Sequence, residues 1–140
     1  MNRLKEQLKK HEGLRLKPYK CPSGKTTIGY GRNLDDRGIS KQEAEMLLDN
    51  EIKDICARLT LVLPWFEDIG SVRQDVLVNM AYNMGVSGLL KWKKTLEDIK
   101  ERRYKDASQK MRESLWAGQV GKRALELADQ LEKGVYENGN

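Results

Sequence analysis

The stretch His11-Glu12-Gly13-Leu14-Arg15-Leu16-Lys17-Pro18-Tyr19-Lys20-Cys21-Pro22-Ser23-Gly24-Lys25-Thr26-Thr27-Ile28-Gly29-Tyr30-Gly31-Arg32-Asn33 decides how this chain is read. Glu12 stands where a short amphipathic helix, predicted from about Arg3 to His11 or Glu12, meets Gly13, a residue able to take the left-handed conformation that closes a helix. Leu4 and Leu8, four apart, form an apolar stripe, and Lys5, Lys9 and Lys10 face water. A run with β-type alternation follows, turns at Cys21-Pro22-Ser23-Gly24, and returns through Thr26, Thr27 and Ile28. Pro18 confines the first strand to an edge or an irregular pairing. Pro22 pre-sets a turn and Gly24 permits a positive φ within it. Gly29 and Gly31 bracket Tyr30, and glycines in a strand mark a bend or a close backbone approach. The stretch therefore sets an acid beside a hairpin whose turn carries a thiol and whose return strand carries hydroxyls. It fits a cleft with an acid on one wall and water-handling groups on the other.

Outward from this stretch the pattern turns helical. Asp35-Asp36-Arg37-Gly38 reads as a polar loop after a hairpin region of about 14–34. Ser40-Lys41-Gln42-Glu43 is a capping box. It opens a long helix over about 41–63, with Ala44, Leu47, Leu48, Ile52, Ile55, Cys56, Leu59 and Leu63 on a helical period and Pro64 as its stop. Ser71-Val72-Arg73-Gln74 reads as a second capping box. The helix after it carries apolar residues on more than one face and ends at Met84-Gly85, the pattern of a central buried helix. Short helices follow, with Leu89, Leu90, Trp92, Leu96 and Ile99 in the core. A helix over about 104–113 puts Tyr104, Ala107 and Met111 inward and ends in the bulky pair Leu115-Trp116. A last helix over about 121–133 puts Ala124, Leu127, Ala128 and Leu131 inward. Val135 and Tyr136 are expected to pack back, and residues 137–140 to fray. The expected class is α+β, mostly helical, with one small sheet.

The chain has 140 residues, the size of one domain with a single core. Its balance of 39% hydrophobic and 34% charged residues is that of a folded globular protein, which excludes wholesale disorder. No apolar run approaches the roughly 18 residues needed to span a bilayer, and Met-Asn-Arg-Leu-Lys-Glu offers no apolar leader, so no membrane insertion is expected and the protein is expected in the cytoplasm of the cell that makes it. A net charge of +5 favours polyanionic partners such as nucleic acid, anionic lipid or bacterial cell wall, although cations spread along the chain are most simply solvated helix faces. Two cysteines are too few for a disulfide scaffold, and both are expected as free thiols, Cys56 as a small core hydrophobe. With His11 as the single histidine, neither a His-based zinc site nor a Ser-His-Asp triad is supported; no metal or other cofactor is expected.

Glu12-Gly13-Leu14-Arg15-Leu16, then Tyr19, then Thr27-Ile28-Gly29-Tyr30-Gly31 resembles the signature of the bacteriophage lysozymes, glycoside hydrolase family 24, with the T-even phage endolysins as the nearest well-known relatives. The similarity resumes at Asn79-Met80-Ala81-Tyr82-Asn83-Met84-Gly85 and again around Trp116 to Arg123, and covers essentially the whole chain apart from a shorter segment between Leu34 and Ile39. The resemblance implies one lysozyme-like domain over 1–140. In it a hairpin lobe at about 13–40 is joined by the helix 41–63 to a helical lobe at about 64–136, on which residues 1–12 pack. The cleft lies between the hairpin and the segment around Tyr82.

The resemblance also implies roles. Glu12 becomes the general acid of a glycosidase, its pKa raised by apolar neighbours to keep a proton available. Thr27 occupies the family's threonine position and holds a water. Cys21, nine residues after Glu12, stands where the familiar relatives carry an aspartate. A thiol accepts hydrogen bonds weakly, but a thiolate is a good nucleophile, and Lys20 and Lys25 are near enough in sequence to favour it. Glu-Cys-Thr resembles a variant among phage endolysins, so base, nucleophile and water-orienting roles all stay open for Cys21. Asn33, Tyr82 and Thr95 match substrate-binding positions. Arg123 aligns with an arginine that pairs with the catalytic glutamate, a contact that would lower the pKa of an acid.

The implied activity is a muramidase: hydrolysis of peptidoglycan between N-acetylmuramic acid and N-acetylglucosamine, with a transglycosylase as a variant using the same acid. The implied setting is an endolysin that lyses its host, acts as a monomer, binds no nucleic acid and depends on a holin-type protein for release to the wall. The competing reading is a non-catalytic basic module that grips nucleic acid or cell-wall polymer. The net charge permits it, but no recognition-helix pattern or aromatic-basic interleaving accompanies the charge.

Overall fold

The computed structural model describes residues 2–136; the fraying expected of 137–140 lies outside the described residues. The chain divides into two compact units, Met1–Leu47 and Leu48–Asn140.

The first unit starts with helix α1 (Asn2–Glu12), which buries none of its residues. Three strands follow, β1 (Arg15–Lys20), β2 (Thr26–Gly29) and β3 (Arg32–Asn33), in an antiparallel sheet of order β1-β2-β3. Tyr19 faces Thr27 across one ladder and Thr27 faces Asn33 across the other, so Thr27 sits at the centre of the sheet. The β1–β2 register shifts between Arg15 and Tyr19. That interval contains Pro18, which has no N–H to give and is tolerated because β1 is an edge. The expected hairpin is thus a three-stranded sheet: the positive φ of Gly31 (+76°) turns the chain back after Tyr30.

The polar stretch after it is not a loop. Leu34–Arg37 forms one helical turn, α2, because Asn33 caps it: its Oδ1 accepts from the Asp36 N–H at 3.0 Å. Gly38 (φ +59°) ends the turn. Arg32 then grips the next helix. Its guanidinium makes two bonds to the Glu43 carboxylate, at 2.9 and 2.8 Å, and donates to the Gly38 carbonyl. Glu43 also completes the expected capping box, with Ser40 N–H donating to Glu43 Oε1 at 2.9 Å and Glu43 N–H to Ser40 Oγ at 3.0 Å. Arg32 and these local donors hold the Glu43 carboxyl down at a pKa of about 2.

Helix α3 runs unbroken from Lys41 to Val62, and the division between units falls within it. Past that point the second unit is helical. A 3-10 turn at Phe66–Ile69 leads to α4 (Ser71–Met84), then α5 (Val86–Leu90), α6 (Lys93–Lys100), α7 (Tyr104–Arg112), α8 (Leu115–Val120) and α9 (Lys122–Lys133). Its core is built from Leu59, Leu77, Met80, Leu89, Ile99, Met111 and Leu131, all fully buried. Helix α4 buries Val76, Leu77, Val78, Met80 and Ala81, apolar on several faces as its sequence implies.

The second capping box does not form. Gly70 takes the N-cap place without a side-chain bond, and the Gln74 amide turns instead to the Phe66 carbonyl at 3.1 Å. Leu115 and Trp116 also part: Ser114 caps a new helix there, Trp116 goes inward and Leu115 is exposed. Trp116 meets Trp92 edge-on, with ring centroids 5.6 Å apart, and donates its indole N–H to Asn83 at 2.8 Å.

The start of α4 is tied to the end of α9. Arg73 lies over the Tyr104 ring at 3.6 Å and donates to the carbonyls of Leu131 and Glu132. Gln130 donates to the Val72 carbonyl, and Tyr136 bonds Asp75. That bond and partial burial push the Tyr136 phenol up to about 12. None of the described helices is long and apolar enough to cross a membrane.

Candidate active site

Glu12 is the last residue of α1. Gly13 (φ +71°) closes the helix, its N–H bonding the Lys9 carbonyl at 2.9 Å, so that the Glu12 side chain leaves a fixed helix end. The carboxylate lies directly on the backbone of Gly31. A Cβ at residue 31 would stand 2.5 Å from Glu12 Oε2 and 2.9 Å from Cδ. Two demands thus meet at Gly31, a left-handed backbone and an empty face. Gly31→Ala should therefore displace the Glu12 carboxylate and lower roughly tenfold any activity that depends on it, while costing roughly 1–2 kcal/mol of stability for the left-handed alanine. Activity assays at equal folded concentration check the first figure and urea melts the second. An alanine variant as active as wild type would show that the carboxylate need not rest there.

Cys21 begins the turn between β1 and β2. Its N–H bonds the Lys25 carbonyl at 3.0 Å, and its own carbonyl accepts from Gly24 at 2.8 Å, closing the turn from both ends. The sulfur lies 3.1 Å from Ser23 Oγ. This hydroxyl above all, then the Lys25 amide and with it the Ser23 amide, hold the thiol down at a pKa of about 7; the small burial of the sulfur works in the opposite direction. The sequence pointed to the ammonium groups of Lys20 and Lys25 for this effect. Lys20 is instead turned to Thr26 Oγ1 at 2.6 Å and Lys25 to Asp36 at 3.2 Å.

Thr27 is the one buried residue of the first unit among the described residues. Its hydroxyl donates to the Lys25 carbonyl at 3.0 Å, which leaves its oxygen lone pairs available to a donor such as water. The carbonyl of Lys25 therefore serves both Cys21 and Thr27. Asn33 is close in the ladder, but its amide is committed on both sides, Oδ1 to the Asp36 N–H and Nδ2 to the Asp36 carboxylate at 3.0 Å. Glu12, Cys21, Thr27 and Asn33 all belong to the first unit.

The other three residues belong to the second unit. Tyr82, half-exposed on α4, and Arg123 on α9 line one pocket of about 380 Å³ with Leu48, Ile52, Asn79 and Tyr136. Asn79 fixes the Arg123 guanidinium, its Oδ1 accepting from Nε at 2.9 Å and from a terminal nitrogen at 2.6 Å. Thr95 is buried in α6, in the wall of a different pocket with Trp92, Ser114 and the lysines 91, 93, 94 and 110. Both cysteines are free, and Cys56 packs against the core, where burial, then the charge of Asp75, raises its pKa.

Reading by sequence missed Ser23 and Asn79 as supports. Ser23 had a usable signal: a hydroxyl two residues after the thiol, inside a proline turn, is placed for a short-range bond. Asn79 had none, since its partner lies 44 positions away.

Comparison with known proteins bears on the family to which the chain belongs. A "Probable T4-type lysozyme 2" of Dictyostelium discoideum is 27% identical over 96% of this chain and 96% of its own length. An "Endolysin" of Acyrthosiphon pisum secondary endosymbiont phage 1 is 31% identical over 57% of this chain and 56% of its own. Part of the "Pre-baseplate central spike protein Gp5" of Enterobacteria phage T4 is also similar, 28% identical over 85% of this chain and 26% of that protein. The phage lysozyme family model matches residues 9–132, a span that holds Glu12, Cys21 and Thr27 together with helices α3 to α8 and α9 up to its penultimate residue. With an acid set on a glycine at a helix end and a second polar centre in the neighbouring turn, the chain belongs to the phage lysozyme family and is a glycosidase of the lysozyme type.

Proposed function

We propose that this lysozyme is an endolysin that hydrolyses the β-1,4 bond between N-acetylmuramic acid and N-acetylglucosamine in peptidoglycan. The observation that carries this reading is that one small unit holds both groups the reaction needs: a carboxyl seated on Gly31 and a readily ionised thiol beside a threonine hydroxyl.

In this reading Glu12 gives its proton to the glycosidic oxygen as the bond from that oxygen to the anomeric carbon breaks. A water held by the Thr27 oxygen attacks the same carbon from the opposite face, and its proton passes to the Cys21 thiolate. The product inverts at the anomeric carbon. Exchange with solvent afterwards returns a proton to Glu12 and removes one from Cys21. Tyr82, half-exposed on α4, offers an aromatic face to a sugar. The net charge of +5 draws the protein to the anionic wall. The protein works as a monomer, without nucleic acid or cofactor. It accumulates in the host cytoplasm and reaches the wall once a holin-type protein has opened the membrane; the endolysins among its relatives support this setting.

Digestion of purified sacculi, followed by mass spectrometry of the soluble muropeptides, tests the reaction. Hydrolysis yields reducing N-acetylmuramic acid ends. Anhydro ends would reassign the protein as a transglycosylase, and retention on sacculi without release of any fragment would reassign it as a binding module.

A further inference from the structure

The turn that carries Cys21 contains a second polar side chain with no part in the reaction just described. Ser23 Oγ lies 3.1 Å from the sulfur, closer than a relaxed contact to a thiol requires, in a turn pinned at both ends by the Cys21–Lys25 and Gly24–Cys21 backbone bonds. Pro22 fixes the backbone between the two residues. The pair is thus held by the chain itself and needs no distant support.

We propose that Ser23 is a positioning residue for the reaction: held 3.1 Å from the Cys21 sulfur, its hydroxyl donates to that sulfur and favours its thiolate form. The proposal rests on the reading that Cys21 takes part in catalysis. A hydroxyl that donates to a thiolate stabilises the charged form, and the amides of Ser23 and Lys25 point the same way.

The charged groups on the surrounding elements are occupied elsewhere. On β1, Arg15 lies over the Tyr19 ring at 4.5 Å and Lys20 donates to Thr26 Oγ1. Lys25 in the turn pairs with Asp36 on α2, while Asp35 on the same helix accepts from the Thr26 N–H at 2.8 Å. Glu12 rests on Gly31. The nearest lysines in sequence, Lys20 and Lys25, are thus each turned to an oxygen partner other than the sulfur.

The test uses the full chain carrying Cys56→Ala, so that Cys21 is the single thiol. The rate of iodoacetamide alkylation is measured against pH for residue 23 as Ser, Ala and Thr, together with the pH profile of lysis. For Ser23→Ala the half-point of thiolate formation should rise by about one pH unit toward the ordinary thiol range. Alkylation and lysis at pH 7 should both fall roughly five-fold and recover as the pH is raised. Ser23→Thr, which keeps a hydroxyl, should restore both profiles, a rescue that a purely structural role would not give. An alkylation profile unmoved by Ser23→Ala overturns the proposal and leaves the role of Cys21 intact. An alkylation profile that moves while lysis does not overturns it through its premise, because the sulfur would then be outside the reaction.

Discussion

Glu12→Gln is expected to abolish lysis while leaving the thermal melt close to that of the wild type. The amide keeps the shape and the place beside Gly31, in the space that a side chain there would fill, and removes only the titratable proton. Loss of a positioned general acid lowers rates by roughly a hundred-fold to ten-thousand-fold. Stability should hardly change, because among the described residues Glu12 forms no ion pair that the substitution would break. Turbidity loss of permeabilised Gram-negative cells measures the rate and calorimetry the melt. A folded glutamine variant with more than half the wild-type activity would remove Glu12 from the mechanism.

The substitutions at Cys21 should rank as Asp, then Ser, then Ala. A carboxylate accepts a proton and hydrogen bonds as the thiolate does, so Cys21→Asp should keep substantial activity, although the turn now aims its donors at two oxygens instead of one sulfur. A hydroxyl accepts hydrogen bonds but is hardly ionised at neutral pH, which places Cys21→Ser lower. A methyl accepts nothing, and Cys21→Ala should lose most of the activity, roughly a hundred-fold for a lost proton acceptor. Because the thiol titrates near pH 7, the wild-type rate should fall as the pH drops below that value and the sulfur becomes protonated. A thiol-alkylating reagent should inactivate the enzyme, and Cys56→Ala should not protect it, since Cys56 is raised by burial and reacts slowly. Full lysis by Cys21→Ala at equal folded concentration would make the sulfur a bystander and shift the burden to Glu12 and Thr27.

Where the sequence could be read correctly, the determinants were local. Gly13 announces the end of α1 because a left-handed residue is a one-position requirement, and Ser40 with Glu43 announces the start of α3 because both halves of the box lie within four residues. The inward face of α9, Ala124, Leu127, Ala128 and Leu131, follows from periodicity alone. The failures have the opposite character. Ser71 and Gln74 have the spacing of a capping box, but the Phe66 carbonyl competes for the glutamine and wins. Asp35 to Arg37 looked like a loop because a four-residue helix has no period to detect; the Asn33 cap, an ordinary asparagine in sequence, is what makes it helical. Glu12, Cys21 and Thr27 were singled out by the resemblance of their stretch to the family signature, and all three fall in the first unit. The acceptor that aligns Cys21 with Thr27 is the backbone carbonyl of Lys25, which residue identity does not encode.

The ties between α4 and α9 bear on how the helical unit assembles and comes apart. The bonds from Arg73 to Leu131 and Glu132, from Gln130 to Val72 and from Tyr136 to Asp75 join residues 58 to 61 positions apart. Each alone would have to close a long loop against chain entropy, but after the first forms, the rest close only a few residues further. They therefore appear and vanish as a set, and α5 to α8 are enclosed within the loop that they seal. A chain growing from its N-terminus cannot make any of them until α9 has been synthesised, so α9 completes the enclosure of the helices before it.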